Sequence, residues 1–374
     1  MNSVARQGRP CYALQRQRRD DWSQKVLWVR VEPVPYGLPL SISSLPLMSR
    51  TKLKDLTTLA DVARACGVEP DFIFSFANAA IQKDYFHVVK MAKRGRRRKG
   101  QYRVVFQAKE KRLSDFHRSL SMIVSNSASF GDHVQGFRKK HSARTNAEQH
   151  LGAPILLHAD IKGFFDAITT AQVKTALIAE GCTPPVAELI SKACTIDGLL
   201  RQGTRCSPVL ANLVCIAMDQ SFLRLARSHT CTYSRYADDL TFSGERVPCD
   251  EAVREILAAD GFVLRDNKCY RQFRGKTQYV TGLTVADPNR PRLPKRLKHD
   301  LRTTMHFIEI HGLAGHWEWI GEEHPMRKEA WLKGMLRYAW SIEPNLVRPW
   351  QVILDKALTD REPYRVDFGD EDYS

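Results

Sequence analysis

The chain has 374 residues, 43% of them hydrophobic and 26% charged, which is enough for a large apolar core and about two or three structural units. Lys and Arg outnumber Asp and Glu by 57 to 41, and the net charge of +16 favours a polyanionic partner, first of all nucleic acid, over a small neutral ligand. No apolar run reaches the roughly 18 residues of a membrane span, and the arginine-rich N-terminus lacks the apolar core of a signal peptide, so a cytoplasmic protein without a membrane partner is predicted.

The N-terminal region divides into an extension, a helix and a basic segment. Residues 1–50 mix arginines with prolines without sustained periodicity, which predicts an extension. Apolar residues recur at helical spacing over 53–66, and Gly67 follows as a stop signal. Residues 90–112 hold the densest basic cluster, with strand-like alternation over 102–106. Such a tract is either a solvated loop or a phosphate contact, and the strand inside it favours phosphate contact.

The central region alternates strands and helices without a long parallel array, which predicts an α+β fold. The predicted elements are a strand at 154–160, helices at 170–179 and 209–225, a pair of short strands at 233–242, a helix at 251–259 and a strand at 278–285. Beyond Pro288 a basic stretch precedes helical segments that contain five tryptophans, and a separate helical unit is predicted there. The tryptophans are Trp317, Trp319, Trp331, Trp340 and Trp350.

The nine cysteines are spread along the whole chain. None forms a C-x-x-C pair, and their spacing indicates neither a zinc site nor a disulfide framework. They are predicted to be small, mostly buried core residues.

Three aspartates are candidates for a metal site. Asp160 ends a predicted strand, while Asp238 and Asp239 lie between two others. Adjacent strand residues point to opposite faces, so only a tight turn lets both carboxylates of the pair serve one site. An Asp-Asp pair alone is more often a hairpin signal. The flanking strands and the strand-terminal Asp160 favour instead a phosphoryl-transfer site with two divalent ions roughly 3.5 to 4 Å apart, for which Mg²⁺ suits carboxylate ligands.

Three motifs, in this order, resemble those of reverse transcriptases. The DIKGFF run at 160–165 resembles their first catalytic motif. The QG at 202–203, together with SPVLAN at 207–212, resembles their template and nucleotide loop. The YADD at 236–239 resembles their hallmark motif. Two further runs resemble the NAxxH and VTG elements of bacterial retron reverse transcriptases, namely 146–150 and 280–282. The chain therefore resembles a retron-type reverse transcriptase, an RNA-directed DNA polymerase.

The resemblance implies a right-hand polymerase with fingers, an antiparallel-sheet palm and a helical thumb. Residues 1–50 would be an extension, 51–287 the fingers and palm, and 288–374 the thumb. It also implies dNTP substrates, two Mg²⁺ ions for which Mn²⁺ could substitute, and a cognate structured noncoding RNA that serves as template and primer. The cDNA would remain joined to that RNA as a branched RNA-DNA product (msDNA), and a separate effector protein and a role in antiphage defence are implied as well.

The resemblance also implies roles for individual residues. Asp160, Asp238 and Asp239 would hold the ions, with the Ile161 carbonyl as a further metal contact, and Phe165 would reject ribonucleotides by blocking the 2′-hydroxyl. Gln202 is expected to contact the nucleotide. Lys268 would assist pyrophosphate departure, unless it is a surface lysine. The residues expected to contact the triphosphate are Lys109, Arg138, Lys139 and Lys140.

The retron-specific elements have two interpretations each. Asn146 and His150 either recognise the structured RNA or belong to a buried polar network, and Val280, Thr281 and Gly282 either contact RNA or pack within a sheet. In the C-terminal unit the tryptophans are expected in the core. The residues expected to track a duplex backbone are Arg292, Lys295, Arg296 and Lys298.

Two alternatives keep part of this interpretation. A group II intron-like or other bacterial reverse transcriptase would share YADD but would more often carry a further DNA-binding or nuclease domain. A non-catalytic RNA-binding scaffold would use only the basic tracts, and the complete aspartate triad argues against it. The loop at 200–206, LRQGTRC, departs from the LPQG-A-P-T-S run of the family, which bears on nucleotide preference or processivity more than on the reaction.

Overall fold

The computed structural model describes residues 51–92, 100–322 and 324–360. The predicted extension at 1–50, part of the basic cluster and the last residues of the chain lie outside these ranges. Within them the chain mixes helices with antiparallel sheets, as predicted.

The N-terminal part packs helices beside a two-stranded antiparallel hairpin. Thr58 begins the first helix, because its hydroxyl accepts from the Asp61 N–H while the Asp61 carboxylate accepts in return, and Gly67 ends it at φ 67°. The predicted helix at 53–66 is therefore shorter, and a separate 3-10 turn precedes it. The elements are α1 Leu59–Cys66, α2 Pro70–Ala77, β1 Phe86–Ala92, β2 Tyr102–Ala108 and α3 Lys111–Ser127.

A four-stranded antiparallel sheet forms the centre, and it confirms the strands predicted at 154–160 and 233–242. Its strands are β3 Ile155–Asp160, β4 Thr232–Tyr236, β5 Asp239–Gly244 and β6 Tyr270–Phe273, in the order β4-β5-β3-β6. Apolar side chains of β3, such as Leu157, point into the main core, so burial fixes the register that places Asp160 at the end of the strand.

The helices predicted at 170–179 and 251–259 are confirmed, and the one predicted at 209–225 is bent. Residues 209–225 were expected to form one helix, but the chain turns by 52° at Cys215, whose ψ of 0° interrupts the helical path. The helices are α4 Ala143–Glu148, α5 Thr170–Ala179, α6 Pro184–Cys194, α7 Ser207–Val214, α8 Ile216–Ser228 and α9 Asp250–Ala259.

The strand predicted at 278–285 is wrong as a single element. Thr281 and Gly282 have φ of 47° and 84°, and two consecutive residues with positive φ reverse the chain in a tight turn. The segment is instead a small hairpin of β7 Tyr279–Val280 and β8 Leu283–Thr284.

The C-terminal helices share a second apolar core with residues that precede them, including Val280 and Leu283. They are α10 Lys295–Trp319, which kinks at Gly312, α11 Pro325–Ile342 and α12 Pro344–Thr359. Only two of the five tryptophans lie in the core as expected, Trp317 and Trp350; Trp319 is 66% exposed. In the described part of the chain no single helix combines the length and apolar composition of a membrane span, and only the bent pair α7 and α8 meets both together.

Candidate active site

The end of β3 and the turn between β4 and β5 bring the three predicted aspartates to one edge of the sheet. Asp160 stands opposite Asp239 in the antiparallel pairing of β3 with β5. The next residue, Ile161, donates its backbone N–H to the Asp238 carbonyl at 2.9 Å. Ala237 takes φ 58°, which makes the turn tight enough for consecutive aspartates to serve one site. Sheet register thus supplies the convergence that the sequence suggested.

A neighbouring loop supports the turn by close backbone contact. A Cβ on Gly136 would lie 2.5 Å from the Ala237 backbone nitrogen, closer than real Cβ atoms approach, so this position requires glycine. The Gln135 N–H donates to the Arg235 carbonyl at 2.8 Å, and the Arg235 N–H donates to the His133 carbonyl at 2.7 Å. Residues 133–136 therefore run alongside β4 and hold it through backbone hydrogen bonds.

A buried ion pair lies beneath the same turn. The Arg235 guanidinium donates to both oxygens of Asp219, at 2.9 and 2.6 Å, and both residues are at most 1% exposed. Its third nitrogen donates to Asn212 Oδ1 at 2.9 Å, and Asn212 donates in turn to the Gly136 carbonyl at 2.9 Å. Tyr233 adds a hydrogen bond to Asp219. The network ties α7, α8, β4 and the supporting loop together.

The sequence interpretation missed this network. Asn212 lies in the SPVLAN run and Arg235 directly precedes the YADD, so their places in the motifs were the available signal. Nothing in the sequence around Asp219 indicates its role, since an acidic residue in a helix is predicted to lie on the surface unless a buried partner is known.

Opposite charges surround Asp160, which is 1% exposed. Lys268 contacts Oδ2, while Arg265 lies 3.0 Å from Oδ1. The orientation of Arg265 gives an ion pair without hydrogen-bond geometry, so the buried Oδ1 has no hydrogen-bond partner. Arg265 was also missed, although it lies three residues before the predicted Lys268.

Desolvation and neighbouring carboxylates raise the pKa values of Asp238 and Asp239, and a bound cation would relieve the repulsion. Burial and the charge of Asp160 raise the pKa of Asp238. Desolvation by the surrounding protein and the charge of Asp238 raise the pKa of Asp239 to about 7, although Asp239 itself is exposed to solvent. A divalent ion relieves the repulsion between these carboxylates, and a set of oxygen ligands that includes Asp160 Oδ1, which accepts no hydrogen bond, fits a hard cation.

The loop with Gln202 and Gly203 is fastened to β2. The Phe106 N–H donates to the Gln202 carbonyl at 2.8 Å. Gly203 takes φ 115°, and a Cβ there would lie 2.6 Å from the Phe106 carbonyl oxygen. Only glycine allows this approach, which holds Gln202 against the N-terminal hairpin.

Comparison with known proteins decides the family. The family model for reverse transcriptase (RNA-dependent DNA polymerase) matches residues 91–284, just over half of the chain. The chain belongs to the reverse transcriptases. It is 30% identical to the Retron Mx65 reverse transcriptase of Myxococcus xanthus over 311 residues, which cover 75% of this chain and 72% of that one.

Further relatives carry the same description. The Retron Ec86 reverse transcriptase of Escherichia coli is 30% identical over 177 residues, covering 46% of this chain and 55% of its own length. The Retron Ec83 reverse transcriptase of the same organism is 24% identical over 263 residues, covering 66% and 80%. This retron-type reverse transcriptase is an RNA-directed DNA polymerase that works with an RNA template and dNTPs, and its family uses divalent metal ions.

The other predicted nucleotide contacts of the reverse transcriptase occupy different settings. Phe165 is half-buried with its ring centre 6.0 Å from that of Phe137. Lys109, Lys139 and Lys140 are exposed. Arg138 instead folds back on its own loop, where Nη1 donates to the carbonyls of residues 131 and 134 at 2.7 and 2.9 Å.

Asn146 and His150 lie in a buried polar network, the second of their two interpretations. The two ring nitrogens of His150 are 2.7 Å from the hydroxyls of Ser243 and Ser234, and Ser234 donates to Asn146 Oδ1 at 2.7 Å. Burial, with a smaller contribution from the charge of His158, lowers the pKa of His150 to about 3. Both side chains are 1% exposed, so they brace β4 and β5 from inside and present no surface to RNA.

The remaining RNA-binding candidates are only partly available to a ligand. Val280 is buried, and the Thr281 hydroxyl donates to the residue 143 carbonyl at 2.7 Å, while Gly282 is half-buried. Arg292 and Lys298 pair with the buried Glu343, at 3.2 and 2.8 Å. Of the basic residues expected on a duplex, Lys295 is exposed and Arg296 is half-exposed beside Asp300.

Proposed function

We propose that Asp160, Asp238 and Asp239 bind the two Mg²⁺ ions of a retron reverse transcriptase, with Mn²⁺ as a possible substitute. The observation that carries the proposal is the pairing of Asp160 with Asp239, joined to the hydrogen bond from Ile161 to the Asp238 carbonyl. This pairing gathers three carboxylates at one sheet edge. When bound, the ions would activate the attacking hydroxyl and stabilise the charge on the leaving pyrophosphate.

The protein residues around the ions have positioning and charge-balancing roles in this proposal. Lys268, which contacts Asp160, would donate a proton to the departing pyrophosphate, and Arg265 would add positive charge beside it. The Ile161 carbonyl is a further candidate metal contact. Phe165, packed near Phe137, would form the wall that excludes a 2′-hydroxyl.

The proposal extends to the arrangement of a right-hand polymerase. The hairpin β1–β2 with α1 to α3 would form the fingers, the four-stranded sheet the palm and α10 to α12 the thumb, with the units at 51–287 and 288–374. Gln202, held against β2, would contact the incoming nucleotide or its template base. The exposed cations that would contact triphosphate or nucleic-acid backbone are Lys109, Lys139, Lys140, Lys295 and Arg296.

We further propose that this enzyme copies part of a cognate noncoding RNA into msDNA and acts with a separate effector protein in antiphage defence. The support is the NAxxH and VTG elements together with similarity to several retron reverse transcriptases. Nucleic acid co-purified with the chain provides the test. A single structured RNA with covalently linked cDNA is expected, whereas random cellular RNA without linked DNA would contradict the proposal.

Substitution of the paired aspartates tests the catalytic assignment. Asp238→Asn and Asp239→Asn should each reduce Mg²⁺-dependent DNA synthesis by about 100-fold or more, because each removes an ionic metal ligand. RNA binding, measured by filter retention, should remain. Asp355→Asn is the matched control, because Asp355 lies exposed on α12. Undiminished synthesis by both active-site variants would sink the assignment.

A further inference from the structure

A cluster of soft metal-ligand side chains is buried apart from the carboxylates. It consists of His117 on α3, Cys194 at the end of α6 and Cys206 immediately before α7. A ring nitrogen of His117 and both sulfur atoms lie within 4.8 Å of one another, and all three residues are at most 1% exposed. Three separate elements thus deliver an imidazole and two thiols to one point.

The hydrogen bonding of His117 leaves a lone pair unused. Its Nε2 lies 2.9 Å from the Ala193 carbonyl, and because a carbonyl only accepts, Nε2 carries the proton. Nδ1 then has a lone pair, is buried and has no hydrogen-bond partner. A buried unpartnered nitrogen calls for an explanation, and metal-bound histidines characteristically donate their second ring N–H to a backbone carbonyl, as His117 does.

The surroundings of the thiols favour a closed site. Cys66, the last residue of α1, is a further buried thiol in the same apolar core. The Phe86 ring stacks on His117 with centres 6.3 Å apart and planes inclined by 9°. This aromatic ring covers one face of the imidazole and is itself buried.

We propose that His117, Cys194 and Cys206 bind one thiophilic divalent ion of the zinc class. Thiolate and imidazole ligands select zinc over Mg²⁺. Two thiolates balance the charge of the ion, which makes burial tolerable. The proposal is independent of the aspartate site, since the two sites share no ligand.

The proposed ion would join α3 and α6 to the loop that carries Gln202 and Gly203. Cys206 follows Gly203 by three residues, and the intervening Thr204 lies 3.5 Å from the Cys206 sulfur through its hydroxyl. Cys206 belongs to the segment in which this chain departs from the usual family pattern. The ion would act by positioning this loop against β2 and would not touch substrate.

Metal analysis of the purified full chain tests the proposal. Elemental analysis should find about one zinc ion per chain, and cobalt exchanged into the wild-type chain should show thiolate charge-transfer absorption and the visible bands of a tetrahedral ion. Cys194→Ser and Cys206→Ser should lose the zinc. Cys182→Ser, a buried cysteine elsewhere, should retain it, and so should Asp239→Asn.

The cobalt spectrum is recorded on the unsubstituted protein, so a variant that fails to fold does not affect it. Wild-type protein with no more zinc than the Cys194→Ser/Cys206→Ser double variant would overturn the proposal. Zinc that stays after both substitutions, or a cobalt form without thiolate absorption, would place the metal elsewhere and would overturn it equally.

Discussion

The buried His150 should make this protein less stable in mild acid by an amount that can be calculated. Its pKa is lowered from 6.5 to about 3 in the folded chain, where its ring nitrogens contact Ser243 and Ser234. The unfolded chain therefore takes up a proton below pH 6.5 while the folded chain stays neutral, so the free energy of unfolding falls as the pH decreases. At pH 5 the difference of about 1.5 pH units, at roughly 1.4 kcal/mol each, amounts to about 2 kcal/mol.

The assay is urea unfolding of the wild type and of His150→Gln at pH 7.5 and pH 5.0, with the free energy taken from the midpoint and the slope. Glutamine keeps an amide donor and acceptor but does not titrate. Other groups, such as His133, titrate in both proteins and cancel in the comparison. The wild type should lose about 2 kcal/mol more than the variant between the two pH values. Equal losses would refute the assignment of His150 as a buried neutral residue.

Two further substitutions test the support of the site, each with a matched control. Asp219→Asn leaves a buried guanidinium without its counter-charge and should lower the free energy of unfolding by about 3–5 kcal/mol. Glu148→Gln breaks a 2.8 Å ion pair that is partly exposed to solvent, and it should lower the free energy of unfolding by no more than about 0.5 kcal/mol. Similar urea midpoints for the two variants would contradict the proposed support. Gly203→Ala should reduce DNA synthesis by about 10-fold, because the added Cβ would push the loop away from β2. Gly198→Ala is the control, because Gly198 also has a positive φ but has open space around its Cβ position, and synthesis should stay near that of the wild type. Equal rates for the two variants would show that the close approach of Gly203 to β2 is unimportant.

The sheet edge with the three aspartates was the most predictable part of the molecule from sequence. Alternating apolar residues on either side of the YADD specified two strands, and the apolar run before Asp160 specified a third. Burial of one face then fixes the register, so the local pattern was sufficient to predict which strand ends carry the carboxylates.

Features that depend on chain reversal or on distant partners were not predictable in this way. Residues 278–285 have the composition of one strand, and only the positive φ of Thr281 and Gly282 reveals a hairpin. The apolar pattern likewise continues through the bend at Cys215. The proposed zinc cluster has no sequence signature because its ligands come from three separate elements, whereas spacing rules detect ligands close together in the chain.

The backbone strain at Ala237 explains why the most recognisable motif depends on residues far from it. A residue other than glycine at φ 58° costs about 1 kcal/mol, so the turn persists only if its surroundings specify it. Gly136 presses against the Ala237 nitrogen, and the side chain of Arg235 is held from below by Asp219 and Asn212. Relaxing any of these contacts would let the turn open and separate the carboxylates. The YADD therefore supplies the carboxylates of the proposed metal site, while the loop at 133–136 and the buried ion pair determine their positions.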